Sequence, residues 1–188
     1  MATANLEHES IRTDRLDLVL LTVPEVLAYR DVARGVDLLA GRCFANPFGV
    51  LVDDLGPLTR RIDQVSRDPS VNPWLIHLIV ARTENLIIGM INFHDAPDSA
   101  GMVEIGYRIV AGHRRRGYAR EAVIGMFRWA LRDPRVRTFQ ASVSPGNEAS
   151  RNLVEGLGFV AVAVVEDEED GPEIVYQLPA EVFAANYV

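Results

Sequence analysis

The chain of 188 residues carries 19 basic and 26 acidic side chains, for a formal net charge of −7, and 48% of its residues are hydrophobic. This length and apolar content predict one domain over residues 1–188, with residues 1–9 expected to form a flexible N-terminus. The acidic balance argues against direct nucleic-acid binding, and the longest apolar stretch, "WLIHLIVA" at 74–81, is too short to span a membrane. We therefore expect a cytoplasmic protein without a membrane or nucleic-acid partner.

The first half of the chain predicts a strand and two helices. "IRTDRLDLVLL" (11–21) alternates as a strand does, and Thr22 and Glu25 have the spacing of a capping box. A helix is expected to follow through about Arg34. Apolar residues at 58, 62 and 65 fall on one face of a second helix over 55–68.

The second half predicts a mixed sheet. "PWLIHLIVA" and "LIIGMINFH" are strands joined by "RTEN", and "MVEIGYRIV" (102–110) is a third strand. A helix with apolar positions from 119 to 131 precedes the strand "VRTFQASVSP" (136–145), which makes strands 102–110 and 136–145 parallel neighbours. Asn147 caps a short helix that stops at Gly158, and "FVAVAVVE" and "EIVYQL" close the chain as a hairpin across "DEEDGP".

Three consecutive arginines lie between the third strand and its following helix, in "AGHRRRGYAREA" (111–122). A turn that opens a helix exposes main-chain N–H groups without intrahelical partners, and the helix dipole adds partial positive charge there. Gly117 has no Cβ and Ala119 has a small side chain, so a bulky anion can approach the main chain. The pattern favours a pyrophosphate ligand, although arginine runs also cover solvated surfaces or bind acidic partners.

Two segments carry a resemblance to a known family. "RRRGYA" (114–119) matches the Q/R-x-x-G-x-G/A acyl-CoA signature of the GCN5-related N-acetyltransferases, and "NEASRNLVEGLGF" (147–159) resembles their last helix. "IRTDRLDLVLL" and "EIGYRI" look most like the branch that contains ribosomal-protein serine and alanine N-terminal acetyltransferases. The resemblance implies an α/β (α+β) fold, in which a mixed, mostly antiparallel twisted sheet of about seven strands is flanked by about four helices.

The resemblance also implies acetyl-CoA as co-substrate, no metal ion, and a primary amine as acceptor: a protein N-terminus or a small molecule. A homodimer is left open. It implies that the main chain of the arginine turn holds the pyrophosphate and that the end of the preceding strand lines the pantetheine, while two asparagines contact the cofactor. The cofactor-binding residues expected on this basis are Ile109, Val110, Arg114, Arg115, Arg116, Gly117, Tyr118, Ala119, Asn147 and Asn152. Asn147 could equally be only a helix cap.

Acetyl transfer requires a base for the amine and a proton for the leaving thiolate. Glu104, at a position where related enzymes often carry a carboxylate, is one candidate base, and His94 is a second. Many relatives carry a tyrosine acid at the position of Val154, so Ser150 becomes the candidate proton donor here. Glu104 could instead be a half-exposed strand residue paired with an arginine, and Ser150 could bond only to the main chain.

Three hypotheses follow from these features. The first is an acetyl-CoA-dependent N-acetyltransferase that works by direct attack in a ternary complex. The second is a non-catalytic acyl-CoA-binding module, motivated by Val154 in the place of tyrosine. The third is an interaction protein that uses the arginine cluster to bind an acidic partner.

Overall fold

The computed structural model of the chain describes residues 10–33, 35–52, 55–167 and 171–188. The predicted flexible segment 1–9, the predicted helix end at Arg34 and three residues of the acidic turn therefore lie outside the described residues. The described residues form eight strands and five α-helices. The strands are β1 (Ile11–Arg12), β2 (Leu16–Leu20), β3 (His77–Ala81), β4 (Leu86–Phe93), β5 (Met102–Ile109), β6 (Thr138–Val143), β7 (Val160–Asp167) and β8 (Gly171–Pro179). The helices are α1 (Val23–Ala28), α2 (Gly56–Arg67), α3 (Tyr118–Ala130), α4 (Glu148–Glu155) and α5 (Ala180–Tyr187).

The chain divides into two compact units, one formed by Met1–Phe93 and Tyr107–Gly125 and the other by His94–Gly106 and Met126–Val188. In the first unit β1, β2, β3 and β4 pair antiparallel in that order, and the end of β5 follows β4 through a hydrogen bond from the Val110 N–H to the Ile88 carbonyl (2.9 Å). Apolar side chains of α1, α2 and the strands form the core of this unit. The prediction of a single domain over residues 1–188 stays a prediction.

The second unit has a different strand arrangement. The first half of β5 runs parallel to β6, β6 pairs antiparallel with β8, and β8 pairs antiparallel with β7. The parallel pairing predicted for the strands before and after α3 is thus confirmed. It covers only three register pairs, the last being Glu104 with Gln140, although β6 continues to Val143.

Aromatic rings fill the core of the second unit. Phe127 on α3 stacks on Phe139 of β6 with centroids 3.9 Å apart. Phe183 on α5 packs edge-on against both rings, at 5.3 and 5.5 Å. Helix α5 was not predicted, because its sequence "AEVFAANY" has no clear apolar stripe and follows a strand without a turn residue other than Pro179.

Several sequence predictions need correction. The segment 11–21 is a hairpin rather than one strand, because the Thr13 N–H donates to the Leu16 carbonyl and closes a turn between β1 and β2. This extra strand raises the count from about seven to eight. Residues 69–74 form a 3₁₀ turn, so β3 begins at His77 rather than at 73. The first helix ends at Ala28 with a 3₁₀ turn through Asp31, but the capping box that opens it is confirmed: the Glu25 carboxylate accepts from the Thr22 N–H and hydroxyl.

No helix among the described residues combines the length and the apolar character that crossing a membrane requires. Within the same residues no group of three or more His, Cys, Asp or Glu side chains is placed to hold a metal ion.

His77 makes the stability of the protein depend on pH. Its side chain is buried, and burial lowers its pKa from 6.5 to about 4, although the hydrogen bond to the Leu75 carbonyl acts in the opposite direction. Between pH 6.5 and 4 the unfolded chain therefore binds more protons than the folded chain, so stability falls as the pH falls. We expect the free energy of unfolding at pH 5 to be about 2 kcal/mol below its value at pH 7.5 from this histidine alone.

Urea unfolding of the wild type and of His77→Gln at both pH values measures this effect. The variant should lose part of the pH dependence, whereas His94→Gln, which replaces a half-exposed histidine, should retain it. An undiminished pH dependence in His77→Gln would contradict the assignment.

Candidate active site

The segment between β5 and α3 bends sharply around two residues in the left-handed backbone region. Ala111–His113 form one 3₁₀ turn, Arg115 has a φ of 59° and Gly117 has a φ of 81°, and α3 begins at Tyr118. This region costs a non-glycine residue about 1 kcal/mol, so Arg115 is held there by its surroundings. The turn is thus a defined structure rather than a loose connection.

Main-chain N–H groups of this turn point away from intramolecular acceptors. Within the parts of the chain that the structure describes, the N–H groups of five consecutive residues, 115–119, donate to no main-chain or side-chain acceptor. The next groups of α3 are bonded within the helix, beginning with the Glu121 N–H, which donates to the Gly117 carbonyl at 3.1 Å. A helix N-terminus that offers several such donors binds anions.

Arg15, on the turn between β1 and β2, binds to the segment between β5 and α3. Its Nε donates to Glu121 Oε2 (2.6 Å), its main-chain N–H donates to Glu121 Oε1 (2.7 Å), and its Nη1 donates to the Arg116 carbonyl (3.0 Å). The guanidinium also lies 4.5 Å from the centroid of the Tyr118 ring. Arg15 therefore ties the Arg116 main chain and the Glu121 side chain to the β1–β2 turn.

His113, the last residue of the 3₁₀ turn, makes a second set of contacts that hold this segment. His113 is buried, and its Nε2 lies 3.1 Å from Glu84 Oε2. Its ring meets Phe48 edge-on at 5.2 Å and lies 6.2 Å from the ring of Tyr118. His113 thus has a structural role in this turn.

The predicted cofactor-binding residues near this turn differ in their surroundings. Ile109 is buried and Val110 is half-buried, whereas the side chains of Arg115 and Arg116 are exposed. Arg114 is tied back, because its Nε donates to the Ile109 carbonyl at 2.8 Å. All three arginines are exposed, and Arg114 differs from the other two in this hydrogen bond to the main chain.

Glu121 accepts the hydrogen bonds that Thr13 and Arg15 of the β1–β2 turn donate to α3, and its replacement tests their contribution to stability. Burial by itself raises the pKa of Glu121, but hydrogen bonds from Thr13 and Arg15 and the charge of Arg15 outweigh it and hold the pKa below its ordinary value of 4.5. A carboxyl group with a lowered pKa stabilises the fold above pH 4.5, and this contribution is lost as the pH falls below that value. We expect Glu121→Gln to lower the Tm at pH 7 by about 3 °C, as for the loss of one charged hydrogen bond.

Thermal unfolding at pH 7 and pH 3.5 checks this prediction, with the two proteins converging at the lower pH. Glu181→Gln, in the exposed first turn of α5, is the matched control and should leave the Tm unchanged. An equal difference at both pH values would contradict the electrostatic assignment.

The second unit brings both candidate bases together. Glu104 on β5 is half-buried, and the Nδ1 of His94, at the end of β4, lies 3.7 Å from Glu104 Oε1. The Gln140 amide on β6 donates to Glu104 Oε2 at 2.9 Å, and the Gln177 amide on β8 donates to Gln140 Oε1 at 2.9 Å. The alternative of an arginine partner for Glu104 is not what the structure has; its neighbours are histidine and glutamine.

Helix α4 carries the other predicted residues. Asn147 is the N-cap of the helix, and its side-chain oxygen accepts from the Ser150 N–H at 3.2 Å. The capping role is thus confirmed, while a cofactor contact of Asn147 stays a prediction. Ser150 is half-buried in the first turn, and Asn152, two residues later, is exposed.

The tyrosine absent from α4 leaves a buried valine. Val154 is 1% exposed and belongs to the core of the second unit. A tyrosine hydroxyl reaches α4 from another element instead: Tyr176 on β8 donates to Glu155 Oε1 at 2.9 Å.

Sequence reasoning missed Arg15, Gln140, Gln177 and Tyr176. The only available signal was the polar alternation of β6 and β8, which shows that Gln140 and Gln177 lie on a half-exposed face without naming their partners.

A mixed sheet with a helical crossover between β5 and β6 defines an α/β fold, and comparison with known proteins identifies its family. Residues 51–160 match the family described as acetyltransferase (GNAT) domain. The chain therefore belongs to the GNAT acetyltransferase family.

A curated relative supports the same family. An uncharacterised N-acetyltransferase of Bacillus subtilis, YjdG, is 36% identical over 83 residues, which are 44% of this chain and 49% of that protein. The chain thus matches about half the length of this relative.

Solved structures share the fold. The ribosomal-protein-S5-alanine acetyltransferase from Vibrio fischeri has a TM-score of 0.63 at 15% identity, with 96% of this chain and 99% of that chain covered. RimL, a ribosomal L7/L12 alpha-N-protein acetyltransferase solved with coenzyme A, has a TM-score of 0.64 at 14% identity, with 93% and 99% covered. At these identities the likeness shows the fold alone.

Proposed function

We propose that the protein is an acetyl-CoA-dependent N-acetyltransferase that moves an acetyl group to a primary amine by direct attack in a ternary complex. The observation that carries the proposal is the run of five main-chain N–H groups, 115–119, without acceptors among the described residues. A helix N-terminus with such donors and adjacent positive charge suits a pyrophosphate. Membership of the GNAT family supplies the identity of the pyrophosphate ligand.

The residues present fit acetyl-CoA at this turn. Gly117 has a φ of 81°, a backbone conformation that favours glycine, and Tyr118 and Ala119 open the helix. Arg115 and Arg116 add charge. Ile109 and Val110, at the end of β5, are proposed to line the pantetheine, although the Ile109 carbonyl already accepts a hydrogen bond from Arg114. Asn147 and Asn152 are proposed to contact the cofactor.

The proposed reaction forms an amide bond between the acceptor nitrogen and the acetyl carbon, breaks the C–S bond of the thioester, and moves one proton from the amine to the leaving thiolate. Glu104 is proposed to accept the amine proton directly or through water, with His94, 3.7 Å away, as the alternative base. Ser150 is proposed to return a proton to the thiolate. Its hydroxyl is available for this role, because the bond that fixes the residue uses its main-chain N–H.

The acceptor is proposed to be a protein N-terminal α-amine or a small amine. Glu166 and Asp167 at the end of β7 and Glu173 on β8 place acidic groups around the described part of the closing hairpin. A negative surface attracts a cationic amine. A cytoplasmic location, a homodimer and the absence of a metal requirement stay predictions.

An acceptor screen tests the proposal. The protein is incubated with acetyl-CoA and a panel of N-terminal peptides, polyamines and small amines, and free thiol is measured with a chromogenic disulfide. Thiol release that depends on the acceptor supports the enzyme. Heat-denatured protein and reactions without acceptor are the controls.

Burial of Val154 in the place of the usual tyrosine favours one alternative, a non-catalytic acyl-CoA-binding module. Tight binding of acetyl-CoA without thiol release for any acceptor would identify that module. Failure of coenzyme A to raise the Tm would favour a binding protein for an acidic partner, because a ligand of the folded state stabilises it.

A further inference from the structure

Three polar side chains lie side by side on neighbouring strands of the second unit. Glu104 on β5 is in register with Gln140 on β6, and Gln140 is in register with Gln177 on β8. Because residues in register point to the same face of a sheet, the three side chains form a row across it. All three are half-buried.

The row is joined by two hydrogen bonds of the same length. Gln140 Nε2 donates to Glu104 Oε2 at 2.9 Å, and Gln177 Nε2 donates to Gln140 Oε1 at 2.9 Å. The Gln140 amide therefore donates to Glu104 through its nitrogen and accepts from Gln177 through its oxygen.

The ionisation state of Glu104 determines which end of each glutamine amide donates and which accepts. A carboxylate that is to take a proton from an amine must be ionised, and an ionised carboxylate only accepts hydrogen bonds. The Gln140 side chain must then donate its N–H to Glu104, which leaves its oxygen as the acceptor for Gln177. Gln177 must therefore donate from its own side-chain nitrogen. Reversal of Gln140 would place oxygen against oxygen at Glu104 and nitrogen against nitrogen at Gln177.

The row leaves one carboxylate oxygen of Glu104 outside it. Oε2 is held by Gln140, while Oε1 faces the side of His94, whose Nδ1 lies 3.7 Å away. We propose that Gln140 is a positioning residue, which fixes the carboxylate of Glu104 so that Oε1 remains available to the acceptor amine, and that Gln177 fixes the amide of Gln140. This inference rests on the proposed role of Glu104 as base.

Kinetic variants test the positioning role. Gln140→Met keeps the approximate size of the side chain and removes both hydrogen bonds, and Gln177→Met removes only the second. We expect kcat to fall about tenfold to a hundredfold in Gln140→Met, since misplacement of a reacting group by about 1 Å costs up to this factor. The KM for acetyl-CoA should not change, because neither glutamine belongs to the proposed cofactor site.

Residue 177 offers a sharper comparison, because it never contacts Glu104. Gln177→Lys still donates to Gln140 Oε1 and should keep most of kcat, whereas Gln177→Glu can only accept and should lower kcat by reversing the Gln140 amide. Thr138→Val, two residues before Gln140 on the same half-exposed face of β6, is the matched control and should retain both parameters.

A spectroscopic readout separates this inference from the proposed function. The side-chain amide ¹H–¹⁵N signals of Gln140, assigned by their loss in Gln140→Met, should shift in both Glu104→Ala and Gln177→Met. Unshifted signals would overturn the row. Shifted signals with an unchanged kcat in Gln140→Met would overturn the positioning role while the acetyltransferase proposal stands. If the signals shift in both variants but the wild type acetylates no amine, the acetyltransferase proposal is refuted, and the positioning role with it. The hydrogen-bonded row would still stand in that case.

Discussion

Replacing Gly117 with glutamate is expected to weaken the binding of coenzyme A at least a hundredfold. The main chain at this position has a φ of 81°, and a Cβ would lie 3.3 Å from Nη2 of Arg15. A glutamate carboxylate would pair with the neighbouring arginines or cover the exposed N–H groups, and its charge would repel a pyrophosphate. Isothermal titration calorimetry with coenzyme A measures the loss.

Two variants separate the contributions to this effect. Gly117→Ala adds the backbone strain and a Cβ 3.3 Å from Nη2 of Arg15 but no charge, so its affinity for coenzyme A should stay within about tenfold of the wild type. Gly112→Glu adds the same charge to the same turn at a position where a Cβ meets no heavy atom within 4 Å, and it should keep most of the affinity. Normal binding by a folded Gly117→Glu protein would refute the location of the pyrophosphate site.

Replacing Glu104 with glutamine is expected to lower kcat by about 10²–10³-fold while the Kd for coenzyme A stays unchanged. Glutamine keeps the size of the side chain and can still accept the hydrogen bond from Gln140 through its oxygen, so the row across the sheet persists. The variant therefore removes the proton acceptor with little change in structure. Steady-state kinetics with an acceptor from the screen, together with calorimetry, measures both quantities.

His94→Gln is the matched variant for the choice between the two bases. If Glu104 is the base, His94→Gln should retain most of kcat, since His94 contacts only one oxygen of the carboxylate at 3.7 Å. A large loss in His94→Gln with a small loss in Glu104→Gln would assign the base to the histidine. Loss of coenzyme A binding in Glu104→Gln would contradict the role given to Glu104.

Periodicity placed most elements within a few residues, and the errors have local causes. A strand over 11–21 was expected because apolar residues alternate throughout it, yet the Thr13 side chain donates to the Leu16 carbonyl and turns the chain. The predicted strand began at Pro73 and so included Pro73 and Trp74. Both residues belong instead to a 3₁₀ turn over 69–74, which Asp68 caps by accepting from the Ser70 N–H. Short side-chain hydrogen bonds of this kind compete with strand formation and leave little trace in an apolar pattern.

The sequence by itself determined the turn that is proposed to bind an anion, since its glycine, its arginines and the start of α3 are consecutive in the chain and need only local main-chain geometry. It also determined the parallel pairing of β5 and β6, which a helical crossover imposes. Only the tertiary structure placed Arg15 against Glu121, 106 residues away, and Gln140 between Glu104 and Gln177. A side-chain period states which face a residue occupies, but the order and register of strands far apart in sequence decide what it touches there.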